Sequence, residues 1–137
     1  ELTGAMLNNA VLDQADLRSA ELGTARLSGV SAVRTDFRNA ELNSANLSHG
    51  VFTRADFRDA ELNNARLTGA DLQGADMRGT DLSRADLRGA DLSRARGLTQ
   101  AQISQACTDN TTRLPSGLTG QTCRTRSTGR VTIIRRN

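Results

Sequence analysis

The sequence predicts an all-β fold in which the chain winds into a four-sided solenoid of about five coils. Leu, Phe or Met stands at 18 of the 19 positions that lie five residues apart between Leu2 and Leu92, and Ala32 is the exception. Ala usually stands two residues before each bulky residue. A period of five fits neither the 3.6 residues of a helical turn nor the alternation of a strand. The chain must therefore turn every five residues, with one bulky and one small side chain inside each side.

A second period, of twenty residues, indicates that four sides make one coil. Asp16–Ser28, Asp36–Ser48 and Asp56–Thr68 align at this spacing. Like residues then stack on like in successive coils, one strand spacing or about 4.8 Å apart. Two interior columns follow: Leu17, Phe37, Phe57 and Met77, and Leu22, Leu42, Leu62 and Leu82. Val30 is expected below Gly50, and Ala32 below Phe52. In each pair a larger residue would stack on a smaller one, which would keep the interior full.

The motif A-(D/E/N)-L-x-x, repeated in one register, resembles the pentapeptide-repeat family. That resemblance implies a right-handed quadrilateral parallel β-helix, and it implies fold more than function because functions vary across the family. We expect the β-helix over residues 1–96 and a C-terminal cap over residues 97–137. The stretch GLTQAQISQACTDNTTRLPSGL at Gly97–Leu118 is similar to a C-terminal extension of some bacterial members.

The outward columns carry charge and form the candidate interaction face. An Arg column is expected between two acidic columns, where it would offset the repulsion of stacked like charges. The Asp column is Asp16, Asp36, Asp56 and Asp76; the Glu column is Glu21, Glu41, Glu61 and Asp81; the Arg column is Arg18, Arg38, Arg58 and Arg78. These columns favour a non-enzymatic scaffold or protein-interaction module with an unknown protein partner.

The runner-up function follows from the resemblance, because some quinolone-resistance members are thought to imitate DNA and bind gyrase. Residues 1–95 hold 11 Arg and 14 acidic residues, a charge of only −3, which weighs against mimicry. Residues 96–137 hold seven Arg and one acid, so the basic charge belongs to the C-terminal third. Direct nucleic-acid binding is not expected, because Tyr and Trp are absent and all three Phe are predicted inside.

The cap is predicted to begin with a short helix over residues 100–107. Thr99 and Gln102 have capping-box spacing, and Leu98 and Ile103 stand at the positions of a hydrophobic staple. Ala106 would join them on the face toward the last coil. The helix would cover the open end of the solenoid, which is both a sheet edge and an exposed apolar core.

Cys107 and Cys123 are the two cysteines, and they bound a loop in the cap. A disulfide is the favoured interpretation, and free thiols are the alternative. No metal site is predicted, because two thiols with no nearby His or further Cys do not complete a tetrahedral zinc site. A disulfide favours a periplasmic or extracellular protein, with the cytoplasm as the alternative. The basic tail over residues 124–137 includes Arg130–Asn137, which has strand propensity.

No catalytic group or cofactor is expected. The acids recur with the repeat, so no carboxylate pair is distinguished, and the single histidine, His49, falls at an outward position. No apolar run approaches the length of a membrane span. Met6 and Val11 stand at outward positions that are usually polar, which suggests either a homodimer contact or missing capping residues.

Overall fold

The computed structural model describes residues 1–123, and as far as Arg96 it pairs residues of the repeat with those twenty positions further along the chain. Isolated parallel bridges run without a gap in register from Met6–Arg26 to Asp76–Arg96. Each coil bonds to both neighbours: the Glu41 N–H donates to the Ala20 carbonyl at 2.9 Å, and the Leu42 N–H donates to the Glu61 carbonyl at 2.8 Å. This is a parallel β-helical solenoid. The basic tail over residues 124–137, with its expected strand, lies outside the described residues.

A β-turn ends each five-residue side. We number the residues of a side 1 to 5, with the bulky residue at position 2 and the small residue at position 5. The position-5 N–H bonds the position-2 carbonyl, as from Ala25 to Leu22 at 3.0 Å. Position 4 has positive φ from Gly4 to Gly89, which is the geometry of a type II turn.

Glycine, which adopts positive φ freely, occupies only some of these corners. Twelve non-glycine residues within residues 1–123 adopt the same conformation, including Thr24 at φ 55° and Arg34 at φ 58°. Two hydrogen bonds hold a corner residue such as Thr24. The turn bond from Ala25 to Leu22 closes around it, and its own N–H donates to the Asn43 carbonyl of the next coil at 2.9 Å. These backbone hydrogen bonds therefore impose the left-handed conformation on whichever residue stands at position 4.

The bulky and small residues pack inside the coils as one continuous core. Phe37 and Phe57 stack in adjacent coils with ring centroids 4.8 Å apart, and Phe52 meets both edge-on. Seven of the eight residues of the two predicted interior columns are fully buried: Phe37, Phe57, Met77, Leu22, Leu42, Leu62 and Leu82. Leu17 is only half-buried, because it belongs to the first coil and no described coil packs on its outer side.

The irregular place in the core is filled by the predicted exchange of volumes. Val30 and Ala32 are fully buried in one coil, and Phe52 is fully buried in the next. A Cβ built on Gly50 would lie 2.5 Å from Cε2 of Phe52. The ring therefore occupies the space that the position-5 alanine fills elsewhere.

The cap begins with helix α1, Gln100–Ser104. The predicted capping box is present: the Thr99 Oγ1 accepts from the Gln102 N–H at 3.2 Å, and the Gln102 Oε1 accepts from the Thr99 N–H at 2.8 Å. Gln102 also donates through Nε2 to the carbonyls of Met77 and Thr80, both at 2.9 Å. Ile103 is fully buried on the core.

The predicted end of this helix at residue 107 is wrong, because Gln105 already caps it. At Cys107 the chain rejoins the backbone hydrogen bonding between coils, because the Cys107 N–H donates to the Ala85 carbonyl at 3.0 Å. The Leu87 N–H in turn donates to the Cys107 carbonyl at 2.9 Å. Arg113 pairs with Asp91 in the same way, so the segment after the helix covers part of the last coil. Within residues 1–123, no helix combines the length and the apolar character that a membrane span requires.

Substituting Gly50 tests the compensated packing of the core. G50A is expected to lower the free energy of unfolding by about 1–3 kcal/mol, because the added methyl group collides with the Phe52 ring. F52L in the same chain should recover part of the loss. Urea unfolding followed by circular dichroism measures both variants. A G50A protein as stable as the parent would show that Phe52 does not need the space above Gly50.

Candidate functional site

One side of the solenoid carries a ladder of alternating carboxylates and guanidinium groups, here called the Asp–Arg ladder. Arg38 folds back onto Asp36 with Nε to Oδ1 at 3.0 Å and Nη2 to Oδ2 at 2.7 Å. Its Nε also lies 3.6 Å from Oδ2 of Asp56 in the next coil. The same pattern joins the members in sequence: Asp16, Arg18, Asp36, Arg38, Asp56, Arg58, Asp76 and Arg78. The ladder therefore neutralises itself.

Asp76 is the most enclosed carboxylate of the Asp–Arg ladder, with 6% of its side chain exposed. It pairs with Arg78, and its Oδ2 lies 3.7 Å from Arg58 and 3.5 Å from Arg96. The hydrogen bonds from Arg78 lower the pKa of Asp76 to about 2, although burial acts in the opposite direction. The same kind of bond from Arg18 lowers the pKa of Asp16, which is 59% exposed, to about 2.

The Glu column, here called the acidic ladder, is Glu21, Glu41, Glu61 and Asp81, and it differs from the expectation. The Arg column was predicted to offset both acidic columns, but no salt bridge within residues 1–123 reaches the acidic ladder. Asp and Arg of the first ladder share a side, whereas a turn separates each Arg from the next Glu. Neutral amides contact the acidic ladder instead: Asn43 donates to Glu61 at 2.8 Å and Asn63 to Asp81 at 3.0 Å.

At the near end of the acidic ladder, the neighbouring carboxylate of Glu1 affects the titration of Glu21. Glu21, Glu41, Glu61 and Asp81 follow one another through parallel bridges, with Glu1 at the near end. A side-chain hydrogen bond with Glu1 and its negative charge raise the pKa of Glu21. Glu21, Glu41 and Glu61 thus form a row of exposed carboxylates at about 4.8 Å intervals, with the half-buried Asp81 at its end.

The side that follows the acidic ladder carries a polar groove with the opposite charge. Arg26 and Arg66 flank Asn46 in a cavity of about 530 Å³, whose other lining residues are Asn8, Thr24, Ser28, Ser44, Ala45 and Asn64. Neither Arg takes part in a salt bridge within residues 1–123. Acidic and basic surfaces therefore stand on adjacent sides of the solenoid.

A third feature lies at the capped end, where Cys107 and Cys123 form a disulfide with their Cα atoms 4.5 Å apart. Oδ1 of Asp86 lies 4.0 Å from Sγ of Cys107 and 3.9 Å from Sγ of Cys123. Arg88 donates to Asp86 through Nε at 2.9 Å and Nη2 at 2.6 Å, and these bonds lower the pKa of Asp86. A cavity of about 360 Å³ opens beside the sulfur atoms, between Arg84, Gln105 and Gln121.

Sequence reasoning missed Asp86, because it is one of many acids at position 1 of the repeat. The usable signal was its distance along the chain: Cys107 stands 21 residues later, close to the length of one coil. The other residues singled out earlier lie at the surface. His49 is exposed at a corner, and Met6 and Val11 are 73% and 74% exposed on the first coil.

A family comparison assigns the repeat. The profile described as "Pentapeptide repeats" matches residues 1–31, 25–59 and 60–96, with eight copies. The chain belongs to the pentapeptide-repeat family. The β-helical solenoid is thus the fold that this membership implies, and the resemblance noted in the sequence is confirmed. No curated protein matches the chain.

Three solved pentapeptide-repeat structures resemble the chain. A protein of the cyanobacterium Cyanothece 51142 is 25% identical, with a TM-score of 0.58 over 80% of this chain and 63% of its own. One from the thylakoid lumen of Arabidopsis thaliana is 29% identical, with a TM-score of 0.57 over 64% of this chain and 65% of its own. One from Nostoc Pcc 7120 is 26% identical, with a TM-score of 0.59 over 80% of this chain and 84% of its own. The chain thus spans under two thirds of the first two.

Removing the Asp76 carboxylate tests the Asp–Arg ladder. The pKa of Asp76 is lower in the folded protein than its ordinary value of 3.8, so its contribution to stability is present above about pH 4 and is lost as the pH falls toward 2. D76N is expected to lower the free energy of unfolding at pH 7 by about 2 kcal/mol, and the difference from the parent should shrink between pH 4 and pH 2. Denaturant unfolding across this range measures it.

The matched control is D16N, which occupies the same repeat position at an exposed end of the ladder and should have a smaller effect. A D76N deficit that stayed constant down to pH 2 would contradict an electrostatic origin.

Replacing both cysteines tests the contribution of the disulfide to the cap. C107S/C123S is expected to lower the free energy of unfolding by about 3 kcal/mol, because the bond closes a loop of about 15 residues. The far-ultraviolet circular dichroism of the coils should remain. Chemically reduced parent protein is the control, and it should lose the same stability. Unchanged unfolding in both would show that the cap does not depend on the bond.

Proposed function

We propose that this protein is a non-enzymatic protein-interaction module, and that the acidic ladder is its contact surface for a basic protein partner. One observation carries the proposal: the exposed carboxylates of Glu21, Glu41 and Glu61 have no cationic partner within residues 1–123, whereas the carboxylates of the Asp–Arg ladder do. Stacked like charges destabilise a sheet. A partner that supplied Arg or Lys would relieve that repulsion.

Rigidity supports the same proposal. The backbone of the acidic ladder is held in both directions: the N–H and carbonyl of Glu41 both bond the preceding coil, at Ala20 and Leu22, and the N–H of the adjoining Leu42 bonds the Glu61 carbonyl in the next coil. A row of charges held in this way costs little ordering entropy when a partner binds. The solenoid side also repeats at one spacing, as in other repeat proteins that bind through extended surfaces.

The proposed location is the periplasm or the outside of the cell. The Cys107–Cys123 disulfide supports it, because such bonds persist in oxidising compartments. A location of this kind would direct the search for a partner to exported proteins. It would also separate this function from the second candidate, which requires the cytoplasm.

The second candidate is a DNA mimic directed at gyrase, and the acidic ladder is the observation that favours it. A mimic needs negative columns comparable to a phosphate backbone. Within residues 1–123 only one such column is present, because the Asp–Arg ladder is neutralised by its own arginines and Arg26 and Arg66 lie on the adjacent side. We therefore place the protein-interaction function first.

Quantitative affinity capture with matched variants tests the proposal. E41Q/E61Q removes two charges from the acidic ladder, and R34Q/R54Q removes two exposed charges from a corner of the opposite side as a control. The parent and R34Q/R54Q are expected to capture the same basic protein at low salt, and E41Q/E61Q should retain less than about a tenth of it. Capture that is equal for all three proteins would overturn the assigned surface.

A supercoiling assay distinguishes the second candidate. The protein-interaction function predicts that micromolar protein leaves gyrase activity unchanged. Inhibition by the parent that is lost in E41Q/E61Q would favour DNA mimicry instead.

A further inference from the structure

We propose that the reduced protein binds a thiophilic divalent cation, with Zn²⁺ as the expected metal, through Cys107, Cys123 and Asp86. This inference is independent of the proposed function. The two thiols alone were insufficient for a zinc site, and the fold supplies the third ligand from the repeat ladder. The three ligand atoms all lie within 4.8 Å of one another.

The distances fit a tetrahedral metal after small side-chain movements. Zn²⁺ binds thiolate at about 2.3 Å and carboxylate at about 2.1 Å, so neighbouring ligand atoms of a tetrahedral site stand about 3.6–3.8 Å apart. Oδ1 of Asp86 is already 4.0 Å and 3.9 Å from the two sulfur atoms. Only the two sulfur atoms must separate, and side-chain rotation suffices once they are no longer bonded.

Two of the three ligand residues, Cys107 and Asp86, are held by backbone hydrogen bonds between coils. Cys107 is bonded into the ladder through its N–H to Ala85 and its carbonyl to Leu87. The Asp86 N–H bonds the Ala65 carbonyl at 2.9 Å. Near Cys123, the Thr108 N–H donates to the Gln121 carbonyl at 2.7 Å, which holds the returning segment beside the last coil.

The charges of the cluster also suit a dication. Two thiolates, one carboxylate and Zn²⁺ carry a net charge of −1, and the Arg88 guanidinium next to Asp86 offsets it. Oδ1 of Asp86 now accepts from Arg88 Nε at 2.9 Å, and this bond would give way to the metal. Arg88 would keep its Nη2 bond to Oδ2, since ligating carboxylates are usually hydrogen-bonded in this way. The cavity between Arg84, Gln105 and Gln121 adjoins both cysteines and has room for a water molecule as the fourth ligand.

Disulfide and metal exclude each other, so the site exists in one redox state. A dithiol reductant supplies two electrons and two protons: the Cys107–Cys123 bond breaks, two S–H bonds form and the reductant becomes a disulfide. Metal binding then forms two metal–sulfur bonds and releases the two thiol protons to solvent. The oxidised protein has no thiolate to offer.

Cobalt and zinc titrations test the site in the full chain. The protein is reduced with dithiothreitol, desalted under anaerobic conditions and titrated with Co²⁺, whose visible spectrum reports thiolate ligands and tetrahedral geometry. Zn²⁺ affinity is then measured by competition with a chromophoric chelator. The reduced parent should show the tetrahedral bands, and the oxidised parent should not.

D86N is the decisive variant, with D91N as its matched control. Asp91 occupies the same repeat position on the next side, where it accepts from Ser93 and contacts no cysteine. D86N should weaken Zn²⁺ binding at least about tenfold, and D91N should leave it unchanged. Equal affinity in D86N and the parent would show that the thiols act without the fold and would overturn the site. Absence of tetrahedral cobalt bands in the reduced parent would overturn it as well.

Discussion

The backbone hydrogen bonds between residues twenty positions apart are the interaction on which the rest of the solenoid depends. Each side bonds the coil before it and the coil after it, as at Glu41 and Leu42. These bonds hold equivalent residues about one strand spacing apart, so that every side chain stacks on its counterpart in the next coil. The phenylalanine stack at 4.8 Å and the left-handed corners both follow from this repeat.

The same spacing produces opposite electrostatic outcomes on two neighbouring sides. Where an Arg follows an Asp by two residues, the guanidinium bonds its own carboxylate and approaches the next, and the row becomes neutral. Where the residue two after a Glu is an amide or a glycine, the row stays charged. This uncompensated charge is the reason we propose the acidic ladder as the contact surface.

The capped end combines local and distant constraints. The capping box at Thr99 and Gln102 is a local signal and forms as expected. The length of the helix is instead decided by backbone hydrogen bonds to the last coil. Residue 107 leaves the helical pattern because the last coil offers it two backbone bonds, at Ala85 and Leu87. That return to the ladder is also what brings Cys107 beside Asp86.

Residue order alone was enough to establish the coil, its period, the interior columns and the start of the cap, because each depends on spacing along the chain. Tertiary structure decided features that depend on side-chain direction and on the ends of the ladder. Arg38 bonds Asp36 and not the acidic ladder because a turn separates it from Glu41. Leu17 stays half-buried because it lies in the first described coil. Asp86 meets the two sulfur atoms because the chain passes the same point one coil later, a proximity that spacing permits but only packing creates.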